Sequence, residues 1–199
     1  MNNIKNIIFD FDGVLVRNSK LLLKTHRETL GEFSQENFEN LFDGNTAEFL
    51  KNYDKDKMNN FWKKWEEVLN KTKINEEALN FLMKNNKKRK FIISSNSEPI
   101  LETIIKNSSA EKYFEKVLGR ETHKSKVSKF LILKNEKNIN FSETIFITDS
   151  LGDLKESSEF SELKTIGVTF GVHSQERLKK GSPDFIVDSW DEIEKILLK

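Results

Sequence analysis

The chain opens on a short apolar run, Ile7-Ile8-Phe9, that stops abruptly at Asp10-Phe11-Asp12-Gly13. The same device, an apolar run closed by polar residues, returns at Lys90–Ser94 and at Thr144–Thr148, which ends on Asp149. Runs this short, rich in Ile, Phe and Val, read as buried strands. Strands are therefore expected at about 4–10, at those two runs, near Lys116–Leu118, and at Thr165–Val168 and Phe185–Val187. Between them the apolar spacing changes to i, i+3, i+4, i+7, the period of a helix with one buried face. Helices follow near 75–86, from Ser97-Glu98-Pro99 through Ile105, around Val127, Phe130 and Leu131, and from Trp190 to Leu197. Alternating strands and helices imply a doubly wound parallel sheet with helices on both faces.

Residues 17–78 break that alternation. They carry helical periodicity and no convincing strand. Ser34 is placed as an N-cap before Phe38, Leu41 and Phe42. Met58, Phe61, Trp62, Trp65 and Leu69 form an aromatic stripe that reads as helix packing, not as a cofactor box. The loop Phe42-Asp43-Gly44-Asn45-Thr46 separates the two, with Thr46 as a possible cap. We therefore expect an α/β core from residues 1–16 and 79–199, with 17–78 inserted as a small helical cap domain.

Composition narrows the class. The 199 residues suffice for one substantial core and a small insertion. Lys and Arg number 33 against 32 Asp and Glu, so a net charge of +1 gives no sign of a nucleic-acid or membrane surface. Cysteine is absent, which excludes disulfides, thiolate metal sites and a thiol nucleophile. No run approaches the ~20 apolar residues of a membrane helix, and the first apolar run is too short for a signal peptide. The chain reads as an intracellular, cytoplasmic protein. His26, His123 and His173 lack metal-ligand spacing and read as structural or solvated.

Ligands of such sheets sit beyond the carboxyl ends of the strands. Three expected strands end there in reactive groups: Asp10 and Asp12; Ser94-Ser95-Asn96; and Thr148-Asp149-Ser150-Leu151-Gly152-Asp153. His123-Lys124-Ser125-Lys126 lies just ahead of a helix between the last two. Four acids, a hydroxyl and a lysine at strand ends are what phosphoryl transfer through an aspartate needs.

At these residues the chain resembles the haloacid dehalogenase-like hydrolase superfamily, mostly phosphatases. Phe9–Leu15 is similar to its first motif, Ser95-Asn96 to its second, a lysine at 124–126 to its third, and Thr148–Asp153 to its fourth. The family more often has Gly where this chain has Thr148. The segments Ile166–Ser174 and Pro183–Ser189 resemble the phosphoglycolate-phosphatase-like branch, which carries a cap at the position of 17–78.

The resemblance implies a Mg²⁺-dependent phosphatase acting on a small phosphorylated metabolite through an aspartyl-phosphate. Asp10 is then the nucleophile and Asp12 the general acid and base. Members that break carbon–halogen or carbon–phosphorus bonds typically lack an acid at the position of Asp12. The metal ligands would be Asp10, the Asp12 carbonyl, Asp149 and, directly or through water, Asp153. Ser95 and the backbone N–H of Asn96 would bind the phosphoryl oxygens. Lys124 fits the usual spacing of the third-motif lysine slightly better than Lys126, which fits a related branch. Asn45 is placed in a cap loop that closes over the site, and Arg17, Lys20, Lys24 and Arg27 are candidates to meet an anionic substrate. A phosphomutase using the same aspartates, or a non-catalytic phosphate-binding protein on this fold, are the competing readings.

Overall fold

The computed structural model describes residues 3–31, 34–46 and 53–198. Six strands form one all-parallel sheet: β1 (Asn6–Phe9), β2 (Arg89–Ile93), β3 (Lys116–Leu118), β4 (Thr144–Thr148), β5 (Lys164–Val168) and β6 (Phe185–Val187). Their spatial order is β3-β2-β1-β4-β5-β6, so β1 sits between β2 and β4 where the strand order reverses. Phe9 pairs with Ile92 on one side and Ile147 on the other, which sets Asp10 level with Ile93 and Thr148 and leaves Ser94 and Asp149 one residue beyond, at the sheet's carboxyl edge. That register is what assembles the site.

Strand alternation divides the core between two faces. Ile7, Phe9, Ile92, Ile145 and Ile147 pack with the helices α4 (Glu76–Lys84), α5 (Glu98–Asn107) and α9 (Trp190–Leu198). Ile8, Phe91, Ile93 and Phe146 face Phe130 and Leu133 of α6 (Lys126–Lys137). Two further short helices, α7 (Leu151–Ser157) and α8 (Gln175–Lys179), flank the β4–β5 side. All six strands therefore stand near their expected places, and the sheet is doubly wound.

Between β1 and α4 run α1 (Ser19–Leu30), α2 (Gln35–Asn40) and α3 (Lys55–Leu69). Ser34 caps α2 through its side chain, which accepts from the Asn37 N–H. Ser97 precedes α5 but makes no side-chain cap bond, and Pro99 in that helix's first turn needs no donor partner. The residues that the expected cap at Thr46 would precede lie outside the described residues. Met58, Phe61, Trp65 and Leu69 of α3 are buried in the same apolar cluster as β1, through Val14, Leu15 and Val16. Among the described residues no helix is long and apolar enough to cross a membrane.

Candidate active site

The loop after β1 is a tight flap. The Gly13 N–H donates to the Val16 carbonyl at 2.8 Å and the Val16 N–H to the Phe11 carbonyl at 3.1 Å, while Phe11, Val14 and Leu15 are wholly buried. Asn75, the N-cap of α4, ties down the flap's far end with its amide on the Val14 and Leu15 carbonyls. Gly13 has φ +78°, and a Cβ there would stand 1.9 Å from Asp149 Oδ2. A Cβ at Gly171 would stand 2.2 Å from the same oxygen. Asp149 thus fills a slot that only two glycines leave open.

Asp10, Asp12, Asp149 and Asp153 all line one cavity with Ser94, Ser95, Asn96 and Lys126. The Lys126 ammonium bridges Asp10 Oδ1 at 2.7 Å and Asp153 Oδ2 at 2.5 Å. Thr148, the departure from the family's usual Gly, donates its hydroxyl to the same Asp153 oxygen at 2.6 Å. Asp149 Oδ2 accepts from the Val172 N–H at 2.7 Å. Burial raises the Asp10 carboxyl well above the usual range; Lys126 opposes the rise, and Asp153 and Asp149 add to it. Burial lifts Asp149 to about 7, against the Val172 hydrogen bond and with Asp153 reinforcing it. Lys126 has its own burial against it, yet Asp10 and Asp153 hold its pKa above the usual lysine range.

Asp12 is gripped by two side-chain amides. Asn18 Nδ2 donates to one carboxylate oxygen at 2.5 Å and Asn96 Nδ2 to the other at 3.2 Å. Each amide is oriented from behind: Asn18 Oδ1 accepts from the Gly13 N–H and Asn96 Oδ1 from the Ser97 N–H. Burial raises the Asp12 pKa although both amides pull it down. A carboxyl biased toward its protonated form and fixed in direction is suited to proton transfer.

The placement of the expected residues is uneven. Lys126, not Lys124, enters the cluster. Ser125 is the N-cap of α6, so Lys126 is its first residue and turns inward, whereas Lys124 lies before the cap and is exposed. Glu156 pins this helix start, accepting from the Lys126 N–H at 3.0 Å and the Ser125 hydroxyl at 2.8 Å. Asn45 is not among the cavity's lining residues; its amide donates to the Lys124 carbonyl and to Glu156. The Asn96 backbone N–H donates to Ser94 Oγ at 3.0 Å, so the Asn96 side chain, not its N–H, addresses the site. Ser95 is exposed and lines the cavity, as expected. Arg17, Lys20, Lys24 and Arg27 are all absent from the lining.

Three residues escaped the sequence reading. Asn18, the residue before α1, carried no sign of its bond to Asp12. Thr148 was noted only as a departure. Lys129, fully buried, donates to the Ser94 carbonyl beneath the second-motif turn, and burial, with Lys126 nearby, lowers its pKa to about 8.

Of three lining carboxylates, Asp10 and Asp153 are ion-paired to one ammonium, Lys126, while Asp149 is held by the Val172 N–H. Among the described residues no set of three or more His, Asp or Glu side chains encloses a metal by itself. The donor chemistry is nonetheless that of a hard cation held by few protein groups: Asp10 and Asp149 offer carboxylate oxygens, while Asp153 is engaged by Lys126 and Thr148. Such an ion usually keeps several waters and takes only one or two carboxylates. The upward pKa directions of Asp10 and Asp149 are those of acids short of a counter-charge.

Over this polar floor stands a roof of rings. Phe38 and Phe42, Phe61, Trp62 and Trp65, with Leu22 and His26 of α1, line the same cavity. The aromatic stripe of α3 is helix packing, as expected, and also a wall of the site.

A family model described as haloacid dehalogenase-like hydrolase matches residues 7–168. A Clostridium perfringens protein named "Putative pyrophosphatase PpaX" is 29% identical over 200 residues, covering 93% of both chains. A "predicted phosphatase" from Clostridium acetobutylicum superposes with a TM-score of 0.83 at 20% identity over 98% of each chain. A "predicted phosphoglycolate phosphatase" from Haemophilus somnus gives a TM-score of 0.77 at 20% identity, over 98% of this chain and 99% of that one. These two structures speak to the fold alone.

Proposed function

The chain belongs to the haloacid dehalogenase-like hydrolases, and on that premise we propose that it is a phosphatase cleaving monoesters through an aspartyl-phosphate on Asp10. The observation that carries this reading is the pairing of Asp10, ion-paired to Lys126, with Asp12, held by Asn18 and Asn96. An Asp10 oxygen attacks phosphorus while the P–O bond to the alcohol breaks. Asp12 gives its proton to the departing alkoxide. A water then surrenders a proton to the Asp12 carboxylate and attacks the phosphoryl group, releasing phosphate and free Asp10. Lys126 offsets charge between nucleophile and phosphoryl oxygens, and Ser95 faces the same oxygens from the β2 turn.

In this reading Mg²⁺ is held by Asp10, Asp149 and the Asp12 carbonyl, and supplies the positive charge that lets a carboxylate approach a phosphate dianion. Thr148 and Lys126 make Asp153 a positioning residue. Residues 17–78 act as the cap over a core of 1–16 and 79–199. The substrate is a small phosphorylated metabolite and the setting cytoplasmic.

A panel of phosphate monoesters assayed for phosphate release tests the proposal. Turnover should require Mg²⁺, vanish on chelation, and fall by more than about a hundredfold in Asp10→Asn. Isomerisation of a sugar phosphate without phosphate release would favour a mutase. No turnover of any ester by the metal-loaded protein would leave a binding role.

A further inference from the structure

The roof and floor of the cavity have opposite character, and the contrast bears on the substrate. The floor is made of the strand-end acids, Lys126 and the serines of the β2 turn. Above it every described lining residue from α1, α2, the 42–46 loop and α3 is uncharged, with His26 the single titratable group. His26 is buried; its Nδ1 lies 2.8 Å from the Leu22 carbonyl, and its ring rests 4.5 Å from that of Phe61 and 5.5 Å from that of Phe38. Burial favours its neutral form.

Three cations of the neighbouring surface are directed elsewhere. Arg17 is ion-paired to Glu77 and lies over the Phe170 ring, and Lys64 is paired to Glu28. Arg120 covers the Trp62 ring at 4.8 Å without lining the cavity. Lys126 is the only lysine or arginine among the described lining residues, and it is committed to Asp10 and Asp153. A second anionic group on a substrate would therefore meet mostly rings and an aliphatic side chain, with the neutral side chains of Ser19 and Thr46 but no cation to pair it, and an unpaired charge there is costly to desolvate. A flat apolar group would instead meet ring faces and edges. The cavity volume of about 100 Å³ suits a compact leaving group.

We propose that the preferred substrates are phosphate monoesters of small, uncharged alcohols bearing a flat apolar ring, and that the site discriminates against polyhydroxylated sugar esters and against esters carrying a second anionic group, pyrophosphate included. This deepens the phosphatase reading and rests on it. Trp62 and Phe42, both partly exposed to the cavity, are the residues assigned to ring recognition.

The test is kcat/KM with Mg²⁺ for substrates whose leaving groups are primary alcohols of similar basicity, so that chemistry does not mask recognition. The set is 2-phenylethyl phosphate, ethyl phosphate, glucose 6-phosphate and 2-phosphoglycolate, with pyrophosphate alongside. We expect 2-phenylethyl phosphate to exceed each of the others by at least ~10-fold, the scale of discrimination available to an apolar pocket. Trp62→Ala should erase most of that advantage, chiefly through KM. Leu22→Lys, which adds a cation to the roof, should raise kcat/KM for 2-phosphoglycolate relative to 2-phenylethyl phosphate by about tenfold. Melting temperatures of both variants establish that they fold, and if one does not, the other carries the test. Preference for 2-phosphoglycolate, pyrophosphate or the sugar phosphate in the unmodified protein overturns the proposal and leaves the phosphatase reading standing. Absence of turnover for every ester overturns both.

Discussion

Asp12 owes its position to two asparagines whose own orientation is decided by backbone N–H groups behind them. Because Asn18 Oδ1 takes the Gly13 N–H, its amide nitrogen is left to face Asp12. A hydrogen bond to the carboxylate favours the charged form, so its loss should raise the Asp12 pKa further. Asn18→Ala is expected to shift the alkaline limb of the kcat/KM profile to higher pH and to lower kcat about tenfold. A superimposable pH profile would mean that Asn18 shapes the flap and not the acid.

Asp149 carries a second prediction at this scale. Its folded pKa, about 7, lies well above the usual aspartate value of about 3.9, so the folded metal-free protein binds more protons than the unfolded chain between those limits. Stability contributed by this group is therefore lost as pH rises from about 4 through 7. His26 and His173, with lowered pKa values, act in the opposite direction near pH 6, so the wild type alone is a poor reporter. The informative quantity is the difference from Asp149→Asn. Without metal the wild-type Tm should fall relative to the variant by at least ~2 °C between pH 5 and 8, and Mg²⁺ should reverse the trend. Parallel curves with and without Mg²⁺ would contradict the burial of an under-compensated carboxylate there.

Among the elements, α8 and α7 hold the loop that follows α2. Arg177 of α8 grips both oxygens of Asp43 at 2.7 Å, reaches Glu39 at 3.1 Å and also meets Asn40. The Arg177 hydrogen bonds keep the Asp43 carboxyl below its usual range. On α7, the Gly152 N–H donates to the Phe42 carbonyl at 2.7 Å, and a Cβ at Gly152 would stand 2.4 Å from the Gly44 carbonyl oxygen. His173 joins the same seam, accepting from the Leu151 N–H and donating to the Glu39 carbonyl. Because Asp43 is more than a third exposed, its pair with Arg177 contributes on the order of 1 kcal/mol. Arg177→Ala should accordingly speed hydrogen exchange of the Gly152 amide by roughly fivefold, with the effect shrinking at high salt. Unchanged exchange would place the hold on this loop in its backbone bonds alone.

At the scale of the molecule, the sheet was legible because its strands are short Ile/Phe runs that end in acids or serines, a signal carried within a few residues. The β1–β4 register brings Asp10 and Asp149 to one edge, while Asp12 is carried there by the flap after β1 and Asp153 by the first turn of α7. Lys126 was harder, because family spacing favours Lys124 only slightly over Lys126; Ser125, a good N-cap type, marks the start of α6 and puts Lys126 in its first turn. Asn18 gave no signal, since an asparagine before a helix reads as a cap whether or not it turns back onto Asp12. The aromatic stripe of α3 was visible as a periodicity, but its use as a wall of the cavity depends on how α3 packs over the β1 flap. Asn45 failed as a site residue for the same reason: its side chain turns to Lys124 and Glu156.

The proposed mechanism turns on phosphorylation of Asp10. Rapid acid quench of the Mg²⁺-loaded enzyme during turnover, followed by mass spectrometry of its peptides, addresses it directly. We expect a mass gain of one phosphoryl group on Asp10, absent from Asp10→Asn and accumulating in Asp12→Asn if loss of the base slows hydrolysis more than formation. Turnover in which no phosphorylated Asp10 is trapped, together with an Asp10→Asn variant that retains activity, would rule out the aspartyl-phosphate route.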